Sequence, residues 1–373
     1  MGKAELRVGV IGAGRWANMA HLPAWKRDDR CELVAVCDVA QHLAEQAAQK
    51  YEIATAADDA RRLLDDADID IIDVVTGDHS HFELTMAGLE AGKHVLVEKP
   101  VAHDFRDTRR ARDLASKNGL KTKVGFTFRY SPAVRYMKEL IDEGWVGTPY
   151  IYNAYEQNSQ WIDPQTPLRQ VPTDVDANRI RVSSLEGYGA PVIDLGHWFM
   201  EADLTSVVGV LRNFVPERMI RETGTMMRAN IDDGDIFIGE FEGGAICSVQ
   251  SSFVTVGNYP GIEVRVYGSE GALIARLVEE FGVMETLRGA RPDAVEFVDV
   301  EVPQRLFPPG GDVHESWPTL YYSNLTANFV DEILAGAEKN EGNFADAAWV
   351  QEVINAVELS HHERGWVDLP LPR

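Results

Sequence analysis

Residues 6–17 read "LRVGVIGAGRWA". The run from Leu6 to Ile11 is rich in β-branched apolar residues, as expected of a strand buried on both faces. The glycine-punctuated segment that follows opens a stretch of helical spacing over 15–27. Gly12, Gly14 and Ala17 then fit the pattern G-x-G-x-x-G/A. In that pattern the first small residue permits a tight turn, the second lets a pyrophosphate approach the backbone, and the third lets the helix pack close to the strand. A helix starting there aims its free amides and partial positive charge at the phosphates.

Working outward, the same alternation repeats. Apolar runs at 32–38, 71–75, 94–97 and 121–126 are separated by stretches of helical spacing at 40–50, 57–65, 79–91 and 105–117. Strand alternating with helix means βαβ units and a parallel sheet covered on both faces. Asp38 ends the second strand, 24 residues after Gly14 (38 − 14). That is near the spacing of about 20 expected for the acid that accepts hydrogen bonds from the ribose hydroxyls of a dinucleotide. A carboxylate there repels a 2′-phosphate, and the next residues, Val39 and Ala40, supply no arginine to receive one. The reading is therefore NAD in preference to NADP.

Beyond residue 124 the pattern changes. One helical stretch, 131–143, leads into "YIYNAYEQ" (150–157), and strand-like runs follow at 205–214, 235–241, 245–253 and 262–268. Helical stretches at 319–338 and 345–363 close the chain. The fold class expected is α/β: an N-terminal Rossmann domain with a doubly wound parallel sheet over 1–124, and a C-terminal α+β domain with a large, mostly antiparallel open sheet over 125–373, whose last helices can pack back on the first domain.

Composition narrows the partners. The chain has 373 residues, 45% of them hydrophobic and 25% charged, with a formal net charge of −23. Such a charge is repelled by nucleic acid and by anionic membrane surfaces, so neither is expected as a partner. No apolar run reaches membrane-spanning length and the first residues enter a strand directly, so the expected location is cytoplasmic. Cys31, Cys37 and Cys247 have no metal or redox spacing; no metal is expected, and the three read as buried thiols.

A second stretch carries the chemistry. In "GKHVLVEKPVAHD" (92–104) a short strand ends on Glu98, Lys99 and Pro100. Ligands of an open α/β sheet bind at the carboxyl ends of its strands, which puts these side chains on the rim where a nicotinamide would lie. Lys99 is placed to hydrogen-bond a substrate hydroxyl and move its proton; a surface Lys–Glu pair after a strand is the other reading.

The chain resembles the Gfo/Idh/MocA oxidoreductases along almost its whole length. "GVIGAGRWA", "VVTGDHSHFELTMAGLEAGKHVLVEKP", "VGFTFRYSP" and "YGSEGALI" are similar, in order, to that family's dinucleotide loop, its T-P-N-x-x-H and E-K-P segments, its G-F-x-x-R-F-x-P and a turn of its C-terminal sheet. The resemblance implies NAD(H) or NADP(H) held by the loop residues Gly12, Gly14, Arg15 and Trp16, with Asp38, and Lys99 as a catalytic residue in a cis Lys99–Pro100 turn. It implies Thr76, His81 and Glu98 at or behind the cofactor, Arg129 beside nicotinamide and substrate, and a homodimer or homotetramer formed through the C-terminal sheet. Gly77-Asp78 departs from the family's Pro-Asn.

The family's D-x-G-x-H is also altered, since Asp194 and His197 are three apart. In one register Trp198 takes the histidine position; in another Pro191 does. Asp194 and His197 can still share a helix face, as a proton carrier with its orienter or as a cap and a packing residue. Residues 152–161 mix amides and a carboxylate with aromatics, a combination suited to a polyol. The family places substrate contacts in this region, so Tyr155, Gln157 and Trp161 are expected to line a substrate site with Lys99, Asp194 and His197; an exposed loop with strand aromatics packing inward is the other reading. The expected activity is hydride transfer between NAD and a sugar, cyclitol or related polyol. A non-catalytic dinucleotide sensor or co-regulator, and a lyase or hydrolase using NAD transiently, are the other readings.

Overall fold

The computed structural model describes residues 5–168, 179–221, 223–280, 283–336 and 341–372. It divides into two compact units: residues 1–132 with 304–351, and residues 133–303 with 352–373.

In the first unit the strands are β1 (Leu6–Ile11), β2 (Cys31–Cys37), β3 (Thr55–Ala57), β4 (Ile71–Val74), β5 (His94–Val97) and β6 (Thr122–Val124). They form one sheet in the order β3-β2-β1-β4-β5-β6, and every neighbouring pair is parallel. Helices α1 (Leu22–Arg27), α2 (Gln41–Tyr51), α3 (Arg61–Leu64), α4 (His81–Glu90) and α5 (Phe105–Lys117) occupy the crossovers. The apolar residues Val8, Val10, Ile71, Ile72, Val95 and Leu96 are fully buried, as strands covered on both faces require. β3 was not legible: it is three residues long, too short to show a period, and its last residue, Ala57, was read as the start of a helix.

The helix after the glycine turn is not uniform. It widens into a π turn over Ala17–His21 before continuing as α1, with Pro23 in the first turn of α1. Pro23 has no N–H to give the Met19 carbonyl. Thr319 Oγ1 takes its place, donating to Met19 O at 2.9 Å.

The second unit contains α6 (Pro132–Asp142, its first residue in the first unit), β7 (Pro149–Gln157), α7 (Ala190–Met200) and strands β8 (Leu204–Arg212), β9 (Glu217–Ile220), β10 (Thr225–Arg228), β11 (Gly234–Phe241), β12 (Ile246–Ser252), β13 (Ile262–Gly268), β14 (Ala272–Glu280), β15 (Val283–Ala290) and β16 (Val298–Asp299). Nine strands form one sheet in the order β16-β15-β14-β13-β7-β12-β11-β8-β17, where β17 is Val367–Asp368 near the chain end. All its pairs are antiparallel except β12 with β7, which makes the sheet mixed. β9 and β10 make a separate pair.

α8 (Trp317–Leu334) belongs to the first unit, and the chain passes into the second within α9 (Phe344–Glu363). The boundary expected at 124/125 therefore falls after Pro132, and residues 304–351 return to the first unit. The reason is burial: Tyr321, Tyr322, Leu325, Phe329 and Val330 of α8 are wholly enclosed, and Phe128 packs against Trp317 at a tilt with ring centroids 5.5 Å apart. Positions 337–338 of the helix expected over 319–338 lie outside the described residues. Among the described residues no helix is long and apolar enough to cross a membrane. Cys37 and Cys247 are buried, whereas Cys31 is only partly so, because β2 begins at the rim of the sheet.

Candidate active site

The glycine turn is dictated by close approach. Gly12 has φ +107°, and a Cβ there would stand 2.4 Å from the Val75 carbonyl oxygen at the end of β4. Gly14 faces open space, with nothing within 4 Å of a Cβ. Asn18 Nδ2 clamps the turn by donating to Ala13 O at 2.9 Å and Gly14 O at 3.1 Å. Asp38 holds it from the other side: Oδ2 accepts the Ala13 N–H and Oδ1 the Ala40 N–H, each at 2.9 Å. Beside the turn is a cavity of about 320 Å³ bordered by Ala13, Gly14, Arg15, Asn18, Gln46 and Lys50. A turn with one glycine forced by the backbone and one left open, next to basic side chains and a fixed carboxylate, has the chemistry to hold a dinucleotide.

The carboxyl end of β5 carries the second cluster. The Lys99–Pro100 peptide is cis, as expected. Glu98 continues the strand ladder, its N–H donating to Val74 O at 3.0 Å, and its carboxylate turns inward. Oε1 accepts from Trp16 Nε1 at 2.9 Å and from the Tyr322 hydroxyl, and lies 3.3 Å from His21 Nε2; Oε2 accepts the Lys99 backbone N–H at 3.2 Å. Gly125 makes room for it, since a Cβ there would come within 2.6 Å of Oε1. His21 is fully buried; its Nδ1 is 2.8 Å from Asp73 Oδ2, which also accepts Trp25 Nε1 at 2.7 Å. Burial alone would push the His21 imidazole down, but the Asp73 and Glu98 carboxylates outweigh it and raise it to about 9. Burial likewise works against ionisation of Glu98, yet its hydrogen bond and charge interaction with His21 hold it below the usual glutamate range.

Of the residues expected behind the cofactor, His81 joins two turns. Its Nδ1 lies 2.7 Å from Pro100 O and its Nε2 3.2 Å from Thr76 O. With carbonyls and no carboxylate in hydrogen-bond contact, burial prevails and its pKa is lowered. Thr76 Oγ1 is 2.7 Å from Ser80 Oγ, closing the turn that contains Gly77-Asp78. Arg129 is buried on the short 3₁₀ turn Thr127–Tyr130, with Nη1 donating to Asp346 Oδ2 at 3.3 Å.

In the second unit the residues expected to line one substrate site are not gathered on one surface. Asp194 and His197 lie on α7, which packs on Tyr152: a Cβ at Gly196 would meet the Tyr152 ring at 2.6 Å, and the Tyr152 hydroxyl donates to Val192 O at 2.6 Å. Asp194 is buried, and His197 Nε2 pairs with Asp203 Oδ1 at 3.1 Å, a carboxylate not foreseen as its orienter. Strand alternation puts Tyr152, Ala154 and Glu156 on the face beneath α7, and Tyr155 and Gln157 on the other. There Tyr155 hydrogen-bonds Glu263, and Gln157 Nε2 reaches Gln250 Oε1 at 3.4 Å. Trp161 packs with Phe253, centroids 6.4 Å apart, in a cluster that includes Tyr188. Reading 152–161 as one patch overlooked the period of two.

Several residues of the site were missed. Asp73, a lone carboxylate inside the apolar run "IIDVV", was the visible signal; His21, Trp25 and Tyr322 had none. In the second unit, and as a structural cap only, Asp232 was also not anticipated: it caps the helical turn that leads into α7, Oδ1 accepting the Ser184 N–H at 3.1 Å and Oδ2 the Leu185 N–H at 3.0 Å.

A doubly wound sheet with this glycine turn, an acid at the end of the second strand and a lysine at the rim is the framework of an NAD-binding oxidoreductase. The chain belongs to the Gfo/Idh/MocA family. Residues 6–126 match the model of the oxidoreductase family with an NAD-binding Rossmann fold, and residues 134–274 match that of the GFO/IDH/MocA C-terminal domain. The chain is 25% identical to a levoglucosan dehydrogenase of Pseudarthrobacter phenanthrenivorans over 98% of both chains. It is 28% identical to an inositol 2-dehydrogenase/D-chiro-inositol 3-dehydrogenase of Lactiplantibacillus plantarum, over 72% of this chain and 70% of that one. A solved structure of levoglucosan dehydrogenase in complex with NADH and levoglucosan superimposes with a TM-score of 0.84 at 25% identity, covering 98% of this chain and 99% of that one.

Proposed function

We propose that this protein moves a hydride between NAD and a carbinol carbon of a sugar, cyclitol or related polyol, with Lys99 carrying the hydroxyl proton. The observation that bears most on it is the end of β5, where Lys99 follows a Glu98 carboxylate that accepts from Trp16 and Tyr322 and is held below the usual glutamate range by His21. The nicotinamide, when bound, supplies the hydride acceptor or donor. In the oxidative direction the substrate C–H bond breaks with its electron pair leaving to the cofactor, the Lys99 amine takes the O–H proton, and a carbonyl forms. Trp16 ties the start of the cofactor helix to Glu98, and His81 ties the Thr76 turn to Pro100, so the two cofactor-facing turns are braced against the lysine. The levoglucosan and inositol dehydrogenases among its relatives support a polyhydroxylated substrate. Incubating the purified protein with NAD⁺ and a panel of sugars, anhydrosugars and cyclitols, and following NADH absorbance, tests this; no NADH with any of them would defeat it.

Asp38 sets the cofactor preference. Each of its oxygens already takes one backbone N–H, which fixes the negative charge while leaving lone pairs for ribose hydroxyls. NAD⁺ is expected to bind more tightly than NADP⁺. Asp38→Ser should narrow that gap and weaken both, because the Ala13 N–H loses its acceptor; calorimetric titration with the two cofactors measures it.

The open face of the large sheet is the proposed contact with a second copy. Ile236 and Ile238 on β11, Val210 on β8, Ile246 on β12 and Ile151 on β7 are between 37% and 52% exposed on adjacent strands. The register sets Ile236 opposite Val210 and Ile246 opposite Ile151, two apolar pairs that meet diagonally through Ile238 and are flanked on the same face by Glu240, Ser248 and Gln250. This supports a homodimer or homotetramer. The double substitution Ile236→Lys and Ile238→Lys is expected to give a monomer by light scattering, with the mass of 41.5 kDa; an unchanged larger assembly would place the contact elsewhere.

A further inference from the structure

His21 stands between two buried carboxylates, one ring nitrogen toward each: Nδ1 toward Asp73 and Nε2 toward Glu98. An ionised carboxylate only accepts hydrogen bonds, so a ring that donates to both is a cation, and the charges of the two carboxylates favour that form over burial. Nothing else of the site uses this buried charge. Asp73 is enclosed in the middle of β4, where an isolated carboxylate is costly unless paired. Trp25 fixes Asp73 and Trp16 fixes Glu98, while the Tyr322 ring covers the imidazole with centroids 4.1 Å apart. The imidazolium therefore has one position and one pair of partners.

We infer that His21 and Asp73 are positioning residues that keep Glu98 a carboxylate beside Lys99, the lysine that carries the substrate proton. The inference rests on the reading of Lys99 given above. The groups facing Glu98 are His21 and Trp16 from the helix after the glycine turn, Tyr322 from α8 and Lys99 itself; His81 of α4 interacts electrostatically, and Asp73 of β4 acts through His21. Of these, His21 is a buried cation in hydrogen-bond contact with the carboxylate. Without it, burial drives Glu98 to take up a proton, and Lys99 loses the neighbouring negative charge.

Two opposing signs make this testable. If His21 keeps Glu98 ionised, His21→Asn neutralises Glu98 and lowers the pH at which Lys99 becomes a free amine, in the same direction as Glu98→Gln. If Glu98 stays ionised without His21, removing a positive charge shifts Lys99 the other way. The probe is acetic anhydride labelling of the full, cofactor-free chain across pH, with the extent at Lys99 read by mass spectrometry. Glu98→Gln and His21→Asn are both expected to move the labelling curve down by about one to two pH units, the size of one close charge at an effective dielectric constant near 20. Asp73→Asn is expected to move it by less in the same direction. An upward or absent shift in His21→Asn overturns the inference.

Should His21→Asn fail to fold, nitrogen-15 histidine spectra of the unmodified protein decide: His21 is expected to stay an imidazolium from pH 6 to about 8, and a neutral ring at pH 7 overturns the inference. The pH dependence of kcat/KM then separates the two claims. If Lys99 labelling shifts and the rate limb shifts with it, both stand. If the labelling shifts and the rate limb does not, the charge clamp stands and the proton-carrying role of Lys99 falls.

Discussion

Lys99→Ala is expected to lower turnover by about 10²–10⁴, the loss typical of a removed acid–base group, while NAD affinity stays near that of the unmodified protein. The separation follows from where the parts of the site are anchored. The proposed cofactor cradle consists of Gly12, Gly14, Asn18 and Asp38, which are held by one another and by the ends of β1, β2 and β4. The Lys99 side chain belongs to the end of β5, and its backbone N–H is already given to Glu98. Truncation at Cβ therefore leaves that turn and the Glu98 network in place. Kinetics on the substrate found by the NADH screen, with a separate binding titration, check it. Near-normal turnover would remove Lys99 from the proton path, and a large loss of NAD affinity would show that the lysine serves binding instead.

The two loop glycines are expected to fail in different ways. Gly12→Ala places a methyl 2.4 Å from the Val75 carbonyl oxygen and forces a side chain onto φ +107°. The backbone strain alone is on the order of 1–3 kcal/mol, and the steric clash adds to it by pushing β1 away from the end of β4. Both thermal stability and NAD binding should drop. Gly14→Ala meets nothing within 4 Å, so the fold should keep its melting temperature while the methyl occupies the space a pyrophosphate needs. Thermal melts and NAD titrations of the two variants distinguish these outcomes. Equal melting temperatures for Gly12→Ala and the unmodified chain would mean the turn relaxes more freely than its contacts imply.

Much of this protein is written locally. The Gly12-Ala13-Gly14 turn, Asp38 at the end of β2, and Glu98-Lys99-Pro100 at the end of β5 are legible because each is a short-range demand on the backbone: a tight turn, a strand end, a chain reversal. The run of apolar strands gave the parallel sheet for the same reason, since strands buried on both faces can be little else. Local reasoning failed where the decisive partner is far along the chain. Glu98 takes hydrogen bonds from Trp16, His21 and Tyr322, residues 82, 77 and 224 positions away, and no spacing rule connects them. His21 gains its charge only because the fold places Asp73 and Glu98 on either side of a ring shut off from water. Tyr155 and Gln157 were assigned to the substrate by composition, but register and the packing of α7 onto Tyr152 decided which face they occupy. Residue types and turns follow from short-range sterics; protonation states, and the face each side chain meets, depend on long-range packing that only the folded chain establishes.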